Sequence, residues 1–114
     1  MEERVRILVL LTLLLTAADH WTTFVCLRVP VAGWTVTEAN PISDWLFASM
    51  GLVPGLLLDS VLTLGAIAFL VTTNLVPSTA KSLIFAAIVA WTGYAVVNNA
   101  QAIAVLGLSP LGSI

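Results

Sequence analysis

Residues 7–27 read ILVLLTLLLTAADHWTTFVCL, an apolar run whose only ionisable members besides Cys26 are Asp19 and His20. About 20 apolar residues are enough to cross the hydrocarbon core of a bilayer as a helix, so the run predicts a transmembrane span. An ionisable side chain well inside such a span is costly and is a functional candidate that needs a partner. Arg4 and Arg6 followed by apolar residues imitate a signal peptide. The run, however, continues past Ala17-Ala18 to Leu27, longer than the ~7–15-residue core of such a signal. A retained first span is expected.

Composition points the same way. The chain has 114 residues, 60% hydrophobic and 9% charged, with mean hydropathy +1.08. Soluble domains are about 45–50% apolar and about 25% charged. A net charge of −2 argues against a basic nucleic-acid surface. With Cys26 the only cysteine, an internal disulfide and a Cys-rich metal site are both excluded, and Cys26 reads as a small packed apolar residue.

Two more runs have span length, about 52–73 and about 82–106. Between the first two spans, Pro30 and Gly33 break the chain. Asn40 and Pro41 then read as an N-cap and first residue of a short helix over 41–50, with Trp34 and Trp45 suited to a membrane interface. A continuous helix through Thr73 would overshoot the bilayer, so a break is expected near Gly51–Pro54. The expected fold is all-α: one integral membrane domain of three transmembrane helices plus a short helix in the first loop. Arg4, Arg6 and Lys81 fall on one side and Arg28 on the other. This bias predicts a cytoplasmic N-terminus and an external C-terminus in the cell membrane.

Placed by depth at ~1.5 Å per residue, the polar residues converge. Asp19, His20, Glu38, Asn40, Asp59, Asn98 and Asn99 all fall in the external half, while the other half has almost nothing polar but threonines. Thr12, Thr16, Asp19, Thr23 and Cys26 share one helical stripe. Gly55, Asp59, Thr63 and Ala66 form a second; Trp91, Tyr94, Asn98 and Gln101, with Asn99 beside them, form a third. Interfaces between helices in lipid favour small residues and cross-helix hydrogen bonds, so these stripes are expected to face one another. Ala86, Ala90 and Gly93 add a small-residue face for packing within the chain or between copies.

Three elements, Asp19-His20-Trp21-Thr22-Thr23, Glu38-Ala39-Asn40-Pro41 and Val96-Val97-Asn98-Asn99, together resemble an uncharacterised (domain-of-unknown-function) family of small bacterial and archaeal three-span membrane proteins. The resemblance covers nearly the whole chain and is most specific at E-x-N-P. It implies the same three-span fold and picks out candidate site residues, with no reaction attached.

Four functional readings follow. Asp19, Glu38 and Asp59, with oxygens from Asn40, Asn98, Asn99 and Thr23, suit a hard divalent cation, and His20 would admit a transition metal. A non-catalytic accessory subunit of a larger electron-transfer or photosynthetic membrane complex fits the short spans and four tryptophans. An intramembrane enzyme would use Asp19 and Asp59 as an acid–base pair. Yet Asp59 follows Leu56-Leu57-Leu58 rather than Gly-x-Gly, and no serine elbow or His-Glu zinc motif is present. A channel would require a homo-oligomer, and the apolar half of the spans opposes a continuous path. The sequence therefore favours a binding or structural protein with a polar site near one face.

Overall fold

The structure, a computed structural model, describes residues 2–28, 38 and 40–111. It contains four helices: α1 (Glu3–Leu27), α2 (Pro41–Met50), α3 (Leu52–Thr72) and α4 (Ser78–Leu106). No strand occurs among the described residues. α1, α3 and α4 are each long and apolar enough to cross a membrane, as in a multi-pass membrane protein. Trp34 and its interfacial role lie outside the described residues.

The helices begin and end for local reasons. Asn40 caps α2: its Oδ1 accepts the N–H of Ile42 at 2.9 Å and of Ser43 at 3.3 Å. Pro41 follows as the first helical residue, where a missing N–H does no harm. The E-x-N-P element thus has a physical meaning, because Glu38 Oε1 accepts the N–H of Asn40 at 3.0 Å. Gly51, at φ 91°, separates α2 from α3 in a conformation that costs L-residues with a Cβ. Across it the chain reverses rather than merely bending. Ser43 pairs with Asp59, and a Cβ on Gly55 would meet the Leu46 backbone at 3.2 Å. α2 is therefore not an independent loop helix; it lies antiparallel along the first turns of α3.

α1 packs along α4, α2 packs on α3, and α1 meets α3 over a shorter stretch. At the end that carries the N-terminus, Val5, Val9, Ile67 and Phe85 form a buried cluster. Phe85 is fully enclosed, and Val5 precedes the apolar run that marks the span. At the opposite end Val25, Cys26 and Ile103 form a second cluster. The tail past Gly107 returns over α1, where Trp21 Nε1 donates to the Pro110 carbonyl at 2.8 Å. α3 and α4 are joined by a short turn and pinned there by Lys81, whose Nζ donates to the Val71 carbonyl at 3.2 Å. A cationic donor on an orphan carbonyl at a helix C-terminus is favourable. Lys81→Met should lower unfolding stability in detergent by about 1 kcal/mol. An unchanged thermal midpoint would show that this bond adds nothing.

The α1 stripe is placed as its spacing predicts: Thr12, Thr23 and Cys26 are buried, and Thr16 and Asp19 line the interior. The other two stripes hold in part: Asp59 and Thr63 of α3 and Trp91, Tyr94 and Asn98 of α4 border the same interior space as the α1 stripe. On α3, Ala66 is exposed and the neighbouring Ile67 is buried instead. On α4 the buried residues are Phe85, Thr92 and Ile103, with Asn99 between them, while Trp91 and Tyr94 are 68% and 70% exposed. Ala86, Ala90 and Gln101 are exposed too, so the two alanines make no helix interface within the chain. Gly93 is half-buried beside Leu15. In lipid an apolar residue can occupy either face at little cost, so hydrophobic periodicity does not distinguish the packed face from the exposed one.

Candidate polar cavity between the helices

α3 and α4 converge at their shared turn, and neither packs on the other as extensively as each packs elsewhere. Towards the far end a cavity of about 320 Å³ opens between them, floored by α1. Asp19, His20, Thr23, Glu38, Asn40, Asp59, Asn98 and Asn99 all line it, so one space gathers the whole candidate set. It also receives Ser43, Trp91 and Tyr94. No Lys or Arg is among the described lining residues.

Two hydrogen-bond networks organise the space. In the first, Asn99 Nδ2 donates to Asp19 Oδ1 at 3.2 Å, Thr22 Oγ1 at 3.0 Å and Thr23 Oγ1 at 3.3 Å. An amide nitrogen carries two hydrogens, so at least one is shared between acceptors. Cys26 Sγ, 3.7 Å from the Asn99 carbonyl, closes the same seam. Asn98 makes no hydrogen bond among the described residues and faces the open side. The two adjacent asparagines thus have different roles.

In the second network His20 bridges α1 to α3. Its Nδ1 lies 2.7 Å from Ser60 Oγ and its Nε2 lies 3.6 Å from Asp59 Oδ2. That carboxylate oxygen also accepts the Ser43 hydroxyl at 3.0 Å. Ser43 sits in the first turn of α2, so Asp59 is held at the positive end of that helix. Asp59 therefore has Ser43 and His20 as partners, with no lysine or arginine among the described lining residues.

Glu38, outside the spans, is half-buried. Burial pushes its carboxyl above the usual glutamate range; the Asn40 N–H opposes this, and the negative charges of Asp19, Asp59 and Asp44 add to the rise.

No three His, Cys, Asp or Glu side chains among the described residues stand close enough together to hold a metal ion. Asp19, Glu38 and Asp59 line one cavity without forming such a group. The residues not singled out from sequence are Ser43 and Ser60. The only signals for them were a serine in the first turn after the Asn40 cap and a serine adjacent to Asp59. No known protein family, curated protein or solved structure matches this chain.

Proposed function

We propose that this is a cation-binding membrane protein, and that its site is the cavity bounded by Asp19, Glu38 and Asp59. The carrying observation is charge: three carboxylates line one space, and none of the described residues lining it is a lysine or arginine. Thr23, Asn40, Asn98 and Asn99 add neutral oxygens. A fully dehydrated metal ion needs several of these groups on one point, and the carboxylates do not converge that way. An organic ammonium fits better. It needs negative charge spread around it and aromatic faces beside it, and Trp91 and Tyr94 line the same cavity. In this reading Arg4, Arg6 and Lys81 keep the N-terminal end cytoplasmic in the cell membrane. The cavity then lies in the external half.

Calorimetric titration of the detergent-solubilised protein with tetramethylammonium, manganese(II) and calcium chlorides tests this. Tetramethylammonium is expected to bind one to one, and Asp19→Asn to weaken it about tenfold, a change of roughly 1.4 kcal/mol. Tight manganese or calcium binding would overturn the ammonium assignment, and absence of binding by all three would overturn the function. Binding should also decline with acid earlier than ordinary carboxylates predict. Glu38 takes up its proton above the usual range, so the anionic form is lost first there as pH falls. Glu38→Gln should remove that early part of the decline. By the same linkage, the raised Glu38 pKa makes its contribution to folding stability fully present at low pH and lost as pH rises through its folded value.

A further inference from the structure

The second network has a side that does not belong to the cavity. Ser60 does not line that space; with His20 it faces the other flank of the α1–α3 pair. There it borders a separate apolar groove of about 330 Å³, lined by Ala17, Trp21, Phe24, Val53, Leu56 and Leu57 as well. Trp21, Val53 and Leu57 are exposed on helices of transmembrane length, so the groove opens where acyl chains of a bilayer would lie.

Ser60 and His20 border this groove, and Asp59 stands behind His20 on the cavity side. The Ser60 hydroxyl is 2.7 Å from His20 Nδ1, and His20 Nε2 is 3.6 Å from Asp59 Oδ2. With the ring proton on Nε2, Nδ1 can accept the serine proton while Asp59 stabilises the imidazolium that results. The Ser43 hydroxyl donates to the same carboxylate oxygen at 3.0 Å. A nucleophile with a base in hydrogen-bond contact, and a carboxylate close enough to pair with that base once it is protonated, supply the parts that activate a serine, which are recognised by geometry rather than by sequence order. The imidazole nitrogens are in exchanged positions relative to the serine-protease triad, and either nitrogen can serve as the base.

We propose that Ser60 is an acyl-accepting nucleophile that acts on long-chain esters presented from the bilayer, with His20 as its base and Asp59 as a positioning residue. Ser60 Oγ adds to the ester carbonyl carbon as its proton passes to His20 Nδ1. The carbon–oxygen bond to the alcohol then breaks, and His20 returns the proton to the departing alcohol. The acyl chain, now on Ser60, lies in the groove. Water, deprotonated by the same nitrogen, releases the carboxylic acid and restores the serine. The sum is ester plus water giving acid plus alcohol.

Incubation of the full chain in lipid nanodiscs with an alkyl fluorophosphonate tests the nucleophile directly. The Ser60 oxygen–phosphorus bond forms and fluoride leaves. A single adduct on Ser60 is expected by peptide mass spectrometry, absent in Ser60→Ala. His20→Gln should slow its formation by about 100-fold or more. Asp59→Asn should slow it by at least about tenfold with the thermal midpoint monitored, and Asp59→Glu should recover part of the rate. Should Ser60→Ala fail to fold, Ser60→Cys retains the shape. Its thiol should react with an alkyl methanethiosulfonate faster than in the Ser60→Cys/His20→Gln double variant, read on the peptide that excludes Cys26. Folded wild-type protein without an adduct on Ser60, or an adduct rate indifferent to His20→Gln, overturns the proposal. The Ser60 adduct and one-to-one tetramethylammonium binding are read separately on the wild-type protein, so either reading can fail while the other stands.

Discussion

Replacing Asn99 with leucine is expected to destabilise the protein by about 2–3 kcal/mol, whereas the same change at Asn98 should be close to neutral. Asn99 Nδ2 is the only donor that the described residues direct at the Asp19 side chain, and it also serves Thr22 and Thr23. Leucine removes those bonds while leaving a half-buried carboxyl against an apolar wall. Water cannot fully replace the lost donor at a helix interface. The cost is therefore that of stranding an acceptor, not of losing one exchangeable bond. Asn98 makes no comparable bond and lines the open side of the cavity. Reversible unfolding of both variants in mixed micelles, followed by circular dichroism, reads the difference. Equal effects at the two positions would mean that Asp19 does not depend on Asn99.

Gly55→Val is expected to cost about 1–3 kcal/mol and to weaken the cavity at the same time. A Cβ at residue 55 would stand 2.8 Å from Phe47 Cδ1 and 3.2 Å from the carbonyl carbon and oxygen of Leu46. The phenyl ring can swing aside, but the backbone of α2 cannot, so the whole short helix must lift from α3. The Ser43–Asp59 bond lies on the same seam and would stretch with it. Gly65 provides the control of opposite sign. Nothing lies within 4 Å of its would-be Cβ, and alanine there should stabilise α3 by roughly 0.5–1 kcal/mol through helix propensity. Parallel thermal melts check both signs. If Gly55→Val melts no lower than the wild type, the close approach of α2 to α3 is not required.

The first prediction turns on partners distant in sequence and the second on a reversal of the chain, and these mark the limit of what could be read without the structure. The depth argument for Asp19, His20, Glu38, Asn40, Asp59, Asn98 and Asn99 needed only helix rise and chain direction, and the cavity gathers that whole set. Which of two adjacent asparagines faces α1 needed the rotation of α4 about its axis. A soluble helix reveals that rotation through its apolar stripe. A helix in lipid need not show one: on α4, Asn98 and Gln101 are exposed along with Ala86 and Ala90.

Length, apolar runs and caps, all properties of neighbours along the chain, were enough to place the three long helices, the short helix over Pro41–Met50 and the break at Gly51. The reversal of α2 onto α3, the exposed position of Ala86 and Ala90, and the bridge from His20 to Ser60 and Asp59 were decided only by the tertiary structure. Helix formation satisfies the backbone within one segment, and its signals are therefore local. Pairing of helices in lipid depends on which small and polar side chains meet across ~10 to 80 residues of sequence, and no linear pattern records that choice.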